Sequence, residues 1–157
     1  MIRRLFELIE KYLRYILYND PIQNAKTLRK RGIVVGENCA IYNSYIDYYP
    51  GYITIGDNVT ITNATILAHD ASTDKFIGKT KVLPVKIGNR VFVGYGSIIT
   101  AGTRIGNDVI IGAGAVVRGE IPDNCVVVGN PCRVVCTTSE YAEKNKMRMN
   151  SSDIEFI

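Results

Sequence analysis

Val85-Lys86-Ile87-Gly88-Asn89-Arg90-Val91-Phe92-Val93-Gly94, continued with the same rhythm to Val117, is the stretch that decides the fold. Ile87, Val93, Ile99, Ile105, Ile111 and Val117 recur at a strict interval of six. Gly88, Gly94, Gly106 and Gly112 follow four of them. Four places past each aliphatic stand Val91, Ser97, Thr103, Val109, Ala115 and Ile121. Such a period is neither that of a helix nor that of a simple alternating strand. It is the signature of a parallel β-helix, a solenoid of short strands and turns. The aliphatic of each unit points into the coil. The residue two places before it does too, because side chains alternate along a strand. Glycine is expected in the turns, where the backbone takes angles that other residues resist.

The same phase appears earlier. Ile55, Ile61 and Leu67 form one block, with Val59, Thr65 and Ala71 in the second inward place, and Val35 and Ile41 form another. Neither block joins the next in register, which marks insertions around residues 47–52 and 73–84. A regular scaffold interrupted by a loop is where function tends to sit.

The chain has 157 residues, enough for one domain with a real core. Its net charge is +4. Eight Lys/Arg against three Asp/Glu within residues 1–31 make that segment +5, so the remainder is near neutral. This is not the footprint of a nucleic-acid-binding surface. Cys39, Cys125, Cys132 and Cys136 contain no CxxC pair, and one histidine cannot complete a zinc set. They read as reduced, packed thiols, and a cytoplasmic protein is expected.

Three segments follow. Residues 1–31 form an N-terminal helical segment, 32–136 the repeat domain and 137–157 a polar tail that begins as a short helix. Ile2, Leu5, Phe6, Ile9, Tyr12, Leu13, Ile16 and Leu17 mark one face of an amphipathic helix that ends at Asn19-Asp20-Pro21. It is expected to cover the open edge of the first coil. A weak contact with an anionic membrane surface is the alternative.

His69 is the only histidine. It lies in Leu67-Ala68-His69-Asp70, at the root of the longer insertion. With Leu67 inward, His69 falls in a turn and projects outward. A neutral imidazole suits general-base work. Asp70, or a backbone carbonyl, is the candidate to hold its other nitrogen; a turn residue bonded to its own backbone is an equal reading of Asp70.

Together these features resemble the hexapeptide-repeat acyltransferases, especially the galactoside and maltose O-acetyltransferases and the polysaccharide O-acetyltransferases. The likeness rests on Ile53-Thr54-Ile55-Gly56-Asp57-Asn58-Val59, Leu67-Ala68-His69-Asp70, the stretch quoted above, Ile111-Gly112-Ala113-Gly114-Ala115-Val116-Val117 and Val128-Gly129-Asn130-Pro131-Cys132-Arg133-Val134. It implies a mainly β fold, a left-handed parallel β-helix, although the period itself chooses no hand. It implies a homotrimer with acetyl-CoA, and no metal, in the groove between neighbours. His69 matches the family's catalytic base, for direct transfer without a covalent enzyme intermediate. Gly94, Gly112 and Ala113 match positions along the pantetheine arm; for the two glycines an ordinary turn is the safer reading. Arg133 matches an arginine near the CoA phosphates. Arg118 stands one place before a cation of many relatives, and Asn43 is the best match to an acceptor-binding asparagine, with a turn asparagine as the safer reading.

The leading expectation is therefore acetyl-CoA-dependent O-acetylation of a sugar or polysaccharide precursor. N-acetylation of an amino or nucleotide-linked sugar is equally compatible with the scaffold, and a non-catalytic solenoid is the reading from a different class. A β-helical zinc hydratase is disfavoured by the single histidine.

Overall fold

The computed structural model describes residues 20–149. The stretch Ile2–Leu17, read above as an amphipathic helix, lies outside them. The described chain winds through five coils of a left-handed parallel β-helix, a three-sided prism. The first face stacks Val34–Val35, Ile53–Ile55, Val85–Ile87, Arg104–Ile105 and Glu120–Ile121. The second stacks Ala40–Tyr42, Thr60–Thr62, Phe92–Val93, Ile110–Ile111 and Val126–Val128. The third stacks Tyr45–Ile46, Thr65–Ile66, Ile98–Ile99 and Val116–Val117. Within each face the pairing is parallel and in register, for example Ile55↔Ile87, Ile87↔Ile105 and Val93↔Ile111.

The inward places of the regular coils are those the period of six assigns. Ile87, Val93, Ile99, Ile105, Ile111 and Val117 are buried, as are Val91, Val109 and Ala115. Ser97 and Thr103 are buried too, and their hydroxyls donate to the carbonyls of Gly94 and Thr100 at 2.6 and 2.7 Å. Burying an aliphatic of this size is worth about 1.5–3 kcal/mol, and the stacked ladder gathers these gains into one continuous core.

Three expectations change. Ile66, not Leu67, is the inward residue of its coil, paired with Ile99. Ala64 and Ala68 are buried beside it, while Thr65 and Leu67 are half-buried and Ala71 is exposed. The unit from Ile61 to Ile66 has lost one residue, as has that from Ile41 to Ile46 below it. Ile121 takes the aliphatic place itself, opposite Ile105, because the turn at Arg118-Gly119 is two residues shorter than its counterparts. Finally, Gly88 and Gly94 do not have left-handed backbones. A Cβ on Gly88 would lie 2.5 Å from the carbonyl oxygen of Gly106, and one on Gly94 2.6 Å from the nitrogen of Ala113. Glycine is there because successive coils touch.

The left-handed residues sit elsewhere. Asn38, Asn58, Arg90, Asp108 and Asn124 carry positive φ at the corner between the first and second faces. Beside them runs a side-chain ladder along the prism. Oδ1 of Asp57, Asn89, Asn107 and Asp123 accepts from the backbone N–H of Glu37, Asp57, Asn89 and Asn107 in turn, at 2.7–2.9 Å.

Asp20-Pro21 starts a helix where the sequence suggested a stop. Asp20 Oδ1 accepts from the Ile22 N–H at 2.9 Å, and Pro21 opens α1, Pro21–Lys30; a capping carboxylate followed by proline is a start signal. Helix α1 covers the exposed edge of the first coil. Asn24 Nδ2 donates to the Ile41 carbonyl at 2.8 Å, Arg29 Nε to that of Val35 at 2.8 Å, and Arg29 also bonds the Gly36 carbonyl. At the other end, Arg133–Cys136 runs antiparallel to Val126–Val128. Thr137 and Glu140 then form a capping box for α3, Thr138–Arg148. Cys39 and Cys125 are buried, which pushes both thiols up, and all four cysteines are unbridged.

Candidate active site

The corner between the third and first faces is irregular in the first two coils. The first coil carries the insertion of residues 47–52. In the second, His69–Asp70 pairs antiparallel with Lys81–Val82 and closes a hairpin whose tip is the single turn α2, Asp74–Ile77. Gly78 ends that turn with φ +62°. At the root, the Leu83 N–H donates to the Ala68 carbonyl at 2.9 Å. The hairpin therefore leaves the prism at a fixed point, with His69 on its first strand.

The His69 side chain is 33% exposed. Its Nδ1–H donates to Oδ2 of Asp47, in a short hydrogen bond from one coil to the next. Asp47 itself is 3% exposed. The same Oδ2 accepts from the Ala68 N–H at 3.0 Å, and Oδ1 accepts from the Tyr45 hydroxyl at 3.3 Å. Burial pushes the Asp47 carboxyl up, but the hydrogen bonds from His69, Ala68 and Tyr45 outweigh it and hold the group below the usual carboxylate range. A carboxylate accepts and never donates, so Nδ1 carries the proton and Nε2 holds the free lone pair. Among the described residues Nε2 has no hydrogen-bond partner. The Tyr49 ring packs beside the imidazole, centroids 5.4 Å apart and planes tilted by 36°. Tyr52 meets Tyr49 edge-on at 6.4 Å.

The partner of His69 is thus Asp47, and the role offered to Asp70 is corrected. Asp70 faces the hairpin instead: its carboxylate accepts from the Ser72 N–H and pairs with Lys81 at 3.0 Å, and these contacts lower its pKa. The remaining candidates divide between corners. Arg118 is exposed at the same corner as His69, on a higher coil. Gly94, Gly112 and Ala113 gather at the next corner round, between the second and third faces. Asn43 lies on that corner in the first coil, exposed and with φ +41°. Its left-handed backbone, shared with Asn63 one coil up, is what a tight turn asks of asparagine. Arg133 is exposed on the last strand, opposite Val128. No cluster of His, Cys, Asp and Glu able to hold a metal occurs among the described residues. No described helix is long and apolar enough to cross a membrane.

A prism of stacked hexapeptide coils with an imidazole held at a corner defines the scaffold of a hexapeptide-repeat transferase. The family model for bacterial transferase hexapeptides (six repeats) matches residues 84–119. Protein CapG of Staphylococcus aureus is 40% identical over 125 residues, 74% of this chain and 73% of that protein. The solved maltose O-acetyltransferase of Clostridium difficile 630 is similar with a TM-score of 0.56 and 34% identity, over 83% of this chain and 84% of that one. A galactoside acetyltransferase in complex with coenzyme A is similar with a TM-score of 0.55 and 28% identity, over 87% and 82%. The chain belongs to the hexapeptide-repeat acyltransferases.

Proposed function

We propose that this protein transfers the acetyl group of acetyl-CoA to a hydroxyl of a sugar or polysaccharide precursor, with His69 as general base. The observation that carries the reading is the geometry of His69: half-exposed, fixed in the Nδ1–H tautomer by a buried carboxylate, with Nε2 uncommitted among the described residues. His69 Nε2 takes the proton of the acceptor hydroxyl as its oxygen attacks the thioester carbonyl. Asp47 stabilises the imidazolium that forms. As the C–S bond breaks, the proton passes from His69 to the departing thiolate, and the enzyme returns to its starting state. The relatives named maltose and galactoside acetyltransferases support a sugar acceptor, and the coenzyme A complex supports the donor.

The division of candidates between corners supports assembly. Ala113, Gly94 and Gly112 face away from the corner that bears His69 in the same chain, so a donor lying along them meets the imidazole of a neighbouring copy. A closed trimer provides that arrangement with every site equivalent. The hairpin fits it, since Phe76 and Ile77 stand 86% and 65% exposed at its tip and reach toward a second copy. Arg118 and Arg133 are the cations offered to the CoA phosphates. The experiment is CoA release from acetyl-CoA across a panel of sugars and oligosaccharides, with wild type and His69→Ala. Loss of at least about a hundredfold in kcat is expected from removing a general base; undiminished transfer by the variant would refute it.

A further inference from the structure

Asp47 is one member of a set. Tyr45, on the last strand of the first coil, and Asp47 and Tyr49, in the insertion that follows it, stand two residues apart, and each meets the His69 unit at a different point. The Tyr45 hydroxyl reaches the carboxylate oxygen that the imidazole does not use. Tyr49 lies along the ring itself and is anchored from below, because it packs on the hydrophobic core and meets Tyr52 edge-on. The backbone supports the same geometry: the Tyr49 N–H donates to the Asp47 carbonyl at 3.1 Å, and the Tyr52 N–H to the Tyr49 carbonyl at 3.0 Å. His69 projects from a hairpin, not from the prism wall, so its own strand gives the ring little lateral support. A single hydrogen bond at Nδ1 fixes one ring atom and leaves rotation about that contact; a flat neighbour removes it.

We infer that Tyr49 and Tyr45 are positioning residues for His69, the first holding the plane of the imidazole and the second holding the Asp47 carboxylate in the orientation that selects the Nδ1–H tautomer. The inference rests on His69 as general base only for its effect on rate; its effect on the ring stands apart.

Because His69 is the sole histidine, selective ¹⁵N-histidine labelling of the full-length protein gives one Nδ1/Nε2 pair in the NMR spectrum. Wild type is expected to show a single neutral tautomer protonated at Nδ1. Tyr49→Leu is expected to give averaged nitrogen shifts, on the order of a tenfold fall in kcat and a KM for acetyl-CoA within about twofold of wild type, as orientation and not donor binding is lost. Tyr49→Phe, which keeps the ring, recovers most of the rate. Tyr45→Phe is a substitution at an exposed side chain that leaves the fold alone, and it moves the tautomer signal in the same direction by a smaller amount. It carries the test should Tyr49→Leu not fold. A folded Tyr49→Leu or Tyr45→Phe with an unchanged tautomer signal would overturn the proposal, whatever its rate. Averaged shifts with undiminished acetyl transfer would uphold the positioning role and remove the base from His69.

Discussion

Replacing Asp47 by Asn separates the charge of the carboxylate from its shape. Three donors converge on this side chain, and one of them, the Ala68 N–H, belongs to a residue with no solvent exposure. It shares Oδ2 with His69 Nδ1. An amide introduced here has one orientation that leaves no donor facing a donor: its oxygen takes the place of Oδ2, and its NH₂ turns toward the Tyr45 hydroxyl. The Nδ1–H tautomer is therefore kept. What is lost is the negative charge opposite the imidazolium. Hydrogen bonds to charged groups contribute about 1.5–3 kcal/mol and neutral ones about 0.5–1.5, a difference of about 1–1.5 kcal/mol, or roughly tenfold in kcat. Asp47→Ala differs in kind, since it orphans the buried Ala68 N–H and lowers stability by about 1–3 kcal/mol. Acid titration separates the variants further. The Asp47 pKa is depressed from 3.8 in the folded protein, so its stabilising contribution is complete above the unfolded value and vanishes as pH falls through the folded one. Below roughly pH 4 wild type loses more Tm than Asp47→Asn. The assays are CoA release at saturating donor and thermal melts across pH. Wild-type kcat in folded Asp47→Asn would refute the charge argument. A fall of three orders of magnitude, with the proton moved to Nε2, would refute the orientation assigned to the amide.

Two stability predictions test the backbone reading. Ile66→Ala should cost about 2–5 kcal/mol as a core truncation, while Leu67→Ala, at a half-buried position, should cost under about 1 kcal/mol; denaturant melts that reverse the order would put Leu67 back in the core. Arg90 holds φ +54° where its counterparts are Asn or Asp. Its exposed pair with Asp108 at 2.6 Å is worth about 0–1 kcal/mol, against about 1–2 kcal/mol for a left-handed side chain. Arg90→Asn should therefore raise Tm slightly, and a clear fall would show the ion pair to be the stronger effect.

The regular part of the fold was legible because the period of six states it directly: every inward aliphatic from Ile87 to Val117 is buried. What was not legible was a unit of five. Ile66 and Leu67 are both aliphatic, and a strict period prefers Leu67. Only pairing with Ile46 below and Ile99 above selects Ile66, which is tertiary information. Glycine illustrates a different failure: the positions were right and the reason was not, since a coil's neighbour forbids the Cβ while the backbone angle is ordinary. The helix that begins at Pro21 was missed for a local reason, as Asp-Pro both ends and begins helices and was read only as an end.

The missed partner of His69 has the most general lesson. Asp70 was a candidate because it is next in the chain, with a turn residue as its equal reading, yet in a solenoid the neighbour along the chain points elsewhere and the neighbour in space is one coil away. The coil length was already readable here. Ile41 and Ile61 are both inward and stack on each other, which sets an offset of twenty between the first two coils. Counting twenty back from His69 lands on Tyr49, whose ring lies against the imidazole. Two residues earlier stands Asp47, and it is the only carboxylate between residues 38 and 56. Irregular insertions blur such a count by a few residues, but a window that narrow around a solitary histidine contains few groups able to fix its tautomer. In a β-helix, therefore, the supporting residues of an active-site side chain are sought at the coil offset and not at its flanks, and both Asp47 and Tyr49 fall where that rule directs.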